Sequence, residues 1–126
     1  MHDIKEDIYR LCEVLWPITR SITGNGVRET LSIIQQEISN LTIHEVPTGT
    51  QCFDWKIPKE WNIKDAYIID PDGKKIIDFQ DSNLHVVSYS TPINQTVPLA
   101  ELQEHLHSLP EQPNAIPYVT SYYEER

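Results

Sequence analysis

Basic residues are scarce in this chain of 126, with 10 lysines and arginines against 19 aspartates and glutamates and a net charge of −9. That balance excludes nucleic acid and anionic membrane as primary partners, because phosphate binding needs concentrated positive charge. No run of apolar residues approaches the length of a membrane span, and no apolar leader opens the sequence. Cysteine is nearly absent: Cys12 and Cys52 have no paired spacing. Both sit in apolar surroundings and are expected to be reduced and buried, which suits the cytoplasm. Repeats and low-complexity tracts are missing too, so solenoid and linker architectures drop out. What remains is a length that suits one domain, with enough apolar residues for a core.

The first part of the chain is helical in pattern. Ile4, Ile8, Leu11, Cys12 and Leu15 recur on one face, predicting a helix over Asp3–Leu15 with Asp3 as its cap. Val27, Leu31, Ile34, Ile38 and Leu41 keep the same period and predict a second helix over Val27–Ser39, capped by Asn25 or Gly26 and stopped at Asn40. A short strand is expected at Thr42–Val46. At Pro47 the texture changes to short alternating runs. Strands are predicted at Gln51–Ile57, Ala66–Ile69, Lys75–Phe79, Leu84–Tyr89 and Tyr118–Tyr123, with a short helix at Pro98–Leu106. Asp70-Pro71-Asp72-Gly73 reads as a hairpin turn rather than a calcium loop, because the later acidic ligands of such a loop are missing. The fold class is therefore α+β: two helices, residues 1–46, followed by a β-rich part, residues 47–126, with one short helix. A strand of Val, Thr and Tyr so near the last residue suggests that a natural continuation is missing. Its open edge makes self-association a further expectation.

The densest polar cluster lies between the two helices, in Trp16-Pro-Ile-Thr-Arg-Ser-Ile-Thr-Gly-Asn-Gly26. Pro17 should end the first helix. Arg20, Ser21, Gly24, Asn25, Gly26 and Arg28 then gather at the amino end of the second, where free backbone N–H groups attract anions. No Gly-Lys-Ser/Thr follows, so this is not a nucleotide-binding loop, and a helix connector explains the same residues. Five histidines, His2, His44, His85, His105 and His107, lack the spacing of a zinc site. Trp55, Trp61 and Tyr89 suit either a sugar-stacking platform or the core of a small β unit. No serine or cysteine has a nucleophile's context.

Four blocks, LWPITRSITGNGVRETL at Leu15–Leu31, VPTGT-x-x-FDW-x-IP-x-EWNI-x-DAYI at Val46–Ile68, DSNLHVV at Asp81–Val87 and IPYVTSYY at Ile116–Tyr123, together resemble a bacterial family of aminopeptidase-like proteins. The family is described as domains of unknown function with a zinc aminopeptidase-like core, a small inserted domain and a carboxy-terminal winged helix, often labelled as polysaccharide-biosynthesis proteins. The resemblance implies that the two helices begin the peptidase-like core and that the β-rich part is the insert. It implies zinc as cofactor and a peptide or amide as substrate of the longer proteins. The family's His, Asp and Glu ligands lie outside the matched blocks, so no catalytic or metal residue is assigned here and the chain alone should be silent. Asp81, Asn83, His85, Tyr122 and Tyr123 are the expected cleft contacts. The competing expectation is a glycan-binding or protein-interaction module.

Overall fold

A computed structural model describes residues 3–125. The elements run α1 (Ile4–Leu15), α2 (Asn25–Glu37), β1 (Gln51–Cys52), β2 (Trp55–Lys56), β3 (Tyr67–Ile69), β4 (Lys75–Asp78) and α3 (Leu99–Leu102), with single 3₁₀ turns at Asn83–His85 and Gln103–His105. Helices and small antiparallel sheets together make the chain α+β. By contacts the chain divides after His85 into two compact units, so the residues around β1 to β4 belong to the same unit as the helices.

In the first unit, α1 starts where Asp3 accepts a 3.0 Å hydrogen bond from the Lys5 amide. It ends at Trp16, one residue before Pro17, because proline has no amide proton to continue the ladder. The second helix begins two residues earlier than its apolar pattern, with Gly24 as cap, and stops at Ile38. β1 and β2 form a hairpin closed by Phe53 and Asp54, and β3 pairs with β4 in register Ile68 to Ile77. In the Asp70–Gly73 turn, the Asp70 carboxylate accepts from the amides of Asp72 (3.0 Å) and Lys74 (2.8 Å). Lys75 lies over the Tyr67 ring and bonds Asp78, which fixes the two strands side to side.

The second unit, from Val86 onward, has little regular structure beyond α3. Tyr89, at 2% exposure, is the one buried apolar residue among those described. The Tyr123 ring meets it edge to face at 5.8 Å. Buried Ser121 accepts a hydrogen bond from the Tyr123 amide, turning the backbone back on itself.

Several expectations fail here for local reasons. Gln51–Ile57 is not one strand, since Phe53 adopts φ 53° and reverses the chain. Thr42–Val46 forms no strand, and Leu84–Tyr89 gives way to the 3₁₀ turn at Asn83–His85. Tyr118–Tyr123 is not a strand either: Tyr122 and Tyr123 take φ 53° and 65°, which no strand accommodates. The self-association expected through that edge loses its structural basis. Cys12 and Cys52 are free thiols, but Cys12 is exposed and Cys52 half-buried. Cys12 keeps the apolar period of α1, yet that face of the helix is not covered.

Candidate functional site: the joint between the two helices

Two helix ends meet between Trp16 and Arg28, and each leaves backbone groups without intrahelical partners. At the carboxyl end of α1, the Leu15 carbonyl accepts from the Arg20 guanidinium at 2.7 Å and from the Ile18 amide at 3.3 Å. The neighbouring Trp16 carbonyl accepts from the Asn83 side chain at 3.0 Å. A cation at this end also complements the negative pole of the helix. The same Arg20 nitrogen reaches the hydroxyl of buried Thr30 in α2 at 3.3 Å, so one side chain ties both helices.

The amino end of α2 is met by a distant segment. Asn62 Oδ1 accepts from the Asn25 amide at 2.7 Å, supplying the cap that Gly24 has no side chain to provide. Thr23 donates to the Lys59 carbonyl at 3.2 Å. Arg28 grips the Glu60 carboxylate with both guanidinium nitrogens, approaches Glu45 at 3.7 Å and also donates to Asn25 Oδ1 at 3.3 Å. The Glu60 contact raises the Arg28 pKa, and Arg28 in turn holds the Glu60 carboxyl below the usual carboxylate range.

The two glycines make this approach possible. Gly24 has φ 123°, and a β-carbon there would sit 2.7 Å from the Trp61 carbonyl oxygen. A β-carbon on Gly26 would run into the Thr19 carbonyl oxygen. Thus Arg20, Gly24, Asn25, Gly26 and Arg28 do come together, and the partners around them are main-chain carbonyls, an amide side chain and two carboxylates. Ser21 has a buried hydroxyl with no hydrogen-bond partner in the structure. The sequence reading missed Lys59, Glu60, Asn62 and Thr30. Their only signal is the Lys-Glu-Trp-Asn run after Pro58, polar residues with no periodic role.

The expected cleft residues separate into the two units. Asp81, Asn83 and His85 belong to the first, Tyr122 and Tyr123 to the second. Asn83 is engaged with Trp16, and His85 Nδ1 donates to the Asp78 carbonyl at 2.8 Å. Asp81 and Tyr122 are exposed. The sugar platform does not form from all three aromatics, since Tyr89 is buried and lies in the other unit from Trp55 and Trp61. Among the described residues no three His, Cys, Asp or Glu side chains gather to hold a metal ion. No described helix is long and apolar enough to cross a membrane.

A profile for a domain of unknown function, DUF2172, matches residues 60–126, just over half of the chain. The chain belongs to the DUF2172 family. A Clostridium acetobutylicum protein, provisionally named a polysaccharide biosynthesis protein with an aminopeptidase-like domain, is 57% identical over 119 residues. That match covers 94% of this chain and 27% of the relative. A crystal structure from the same organism, described provisionally as that of a peptidase, superposes with a TM-score of 0.90 at 56% identity. It covers 97% of this chain and 29% of the solved one. This DUF2172 chain therefore spans between a quarter and a third of the relatives it matches.

Proposed function

We propose that this chain is the amino-terminal, non-catalytic portion of a peptidase-like metallohydrolase, the reacting groups being carried by the rest of the longer polypeptide. The observation that carries the reading is the likeness to a solved structure described as a peptidase, at 56% identity over nearly the whole chain. Substrates of the longer protein are peptides or amides, and zinc is its cofactor. The residues described here do not fit a zinc ion, because no donor set of three assembles among them. The joint between α1 and α2 is accordingly read as scaffold: its charges and amides answer one another rather than a ligand. Exposed Asp81 and Tyr122 are the residues left to touch substrate. Free thiols at Cys12 and Cys52 agree with a cytoplasmic location.

The experiment is hydrolysis of a leucine anilide in the presence of zinc. The purified 126-residue chain is expected to give no turnover, and a family-length protein is expected to give turnover that a chelator stops. Chelator-sensitive turnover by the chain alone overturns the assignment. A polysaccharide-linked binding role is the alternative suggested by the relative's name. Loss of Tyr89 from any stacking surface leaves Trp55 and Trp61 to carry it, and calorimetry against a sugar panel decides it.

A further inference from the structure

The outer face of α1 has no cover. Ile4, Ile8, Tyr9 and Trp16 are 72, 59, 67 and 70% exposed, and Cys12 between them is exposed as well. At 100° per residue these five positions sweep roughly 140° of the helix, more than the stripe a surface helix ordinarily buries. Tyr9, Cys12, Glu13 and Trp16 line a hollow of about 310 Å³ on this face. The contact between α1 and α2 through Arg10 and Glu37, 3.2 Å apart, lies on the opposite side of the helix. The band thus points away from the one helix that α1 meets.

We propose that this face is the seat of the remainder of the family-length polypeptide, with an apolar segment from outside residues 1–126 entering the hollow between Tyr9 and Trp16. Length decides the occupant. The chain accounts for 27% of one relative and 29% of the solved one, so most of the polypeptide lies elsewhere. The same backbone is kept in the solved relative, with a TM-score of 0.90 over 97% of the chain, so the face persists in the longer protein. A second copy of this chain is a poorer occupant, since a net charge of −9 on each copy opposes association. The docking rests on family membership and not on hydrolysis, and either can fail without the other.

Cys12 reports on the face directly. With Cys52→Ser removing the other thiol, maleimide labelling of Cys12 is timed in the 126-residue chain and in a hybrid where the chain replaces the matching part of the Clostridium acetobutylicum protein. Labelling is expected to be rapid in the chain and at least about tenfold slower in the folded hybrid. Equal rates in both overturn the proposal. Slow labelling in the chain itself, with a dimer in sedimentation, overturns it in favour of a second copy. If the hybrid does not fold, oxidative footprinting of the intact Clostridium acetobutylicum protein replaces it: protection of the residues aligned with Ile8 and Trp16 supports docking, and solvent-level oxidation refutes it.

Discussion

Two surfaces a few residues apart in sequence behave in opposite ways. In the joint from Trp16 to Arg28, the helix-end carbonyls of Leu15 and Trp16, the Asn25 amide and the Arg28 guanidinium all find partners within the chain. On the outer face of α1, large apolar side chains find none, and Ile4 and Trp16 stay 72 and 70% exposed. Polar groups at helix ends are answered locally, because an unmet backbone group is costly wherever water is kept out. Apolar faces are answered by whatever bulk the fold brings to them, and here that bulk belongs to another part of a longer protein. The first surface is finished by this sequence. The second is a request for more.

Changes that attack the finished surface have the largest expected effect. Gly24→Ala places a side chain where φ is 123° and the Trp61 carbonyl crowds it, and Gly26→Ala meets the Thr19 carbonyl. Each is expected to cost about 1–3 kcal/mol in urea unfolding, through backbone strain at the first and overpacking at the second. Next comes Asn62→Ala, which strips the cap from the Asn25 amide and should cost roughly 0.5–2 kcal/mol. A smaller effect is expected at the Arg28–Glu60 pair, which is open to solvent and weakened by salt. Its pKa direction fixes the pH dependence. The Glu60 pKa is lowered in the folded state by Arg28, so its contribution is present above the unfolded value. It is lost as the pH falls through the lower folded value. Glu60→Gln should therefore lower the thermal midpoint at neutral pH and leave it close to wild type below about pH 4. A shift that is independent of pH would show that the pair adds nothing specific to ionisation.

The two helices were legible because their apolar residues recur every three to four positions, and because Asp3 and Pro17 punctuate the first of them. The β3–β4 hairpin was legible from Asp70 to Gly73, where each residue has a turn role. Strands at Leu84–Tyr89 and Tyr118–Tyr123 were misread because alternation of aromatic and β-branched residues says nothing about φ. Tyr89, Tyr122 and Tyr123 all adopt positive φ, a choice made by tertiary packing such as the Tyr89–Tyr123 contact. Within the joint, Arg20, Asn25 and Arg28 stood out as chemistry because their partners lie up to 37 positions away, at Glu60 and Asn62. Spacing along a chain shows which groups need partners. It does not show that the chain itself provides them. The burial expected of Cys12 failed for the related reason that an apolar period announces a partner without naming it.

One comparison tests the contrast most directly: urea unfolding of the wild-type chain beside Asn62→Ala and Ile8→Ser. The account predicts a clear loss for Asn62→Ala, and a change within about 0.5 kcal/mol for Ile8→Ser, whose side chain touches little in this chain. A larger loss from Ile8→Ser than from Asn62→Ala would mean that the face of α1 is already buried, and would contradict it.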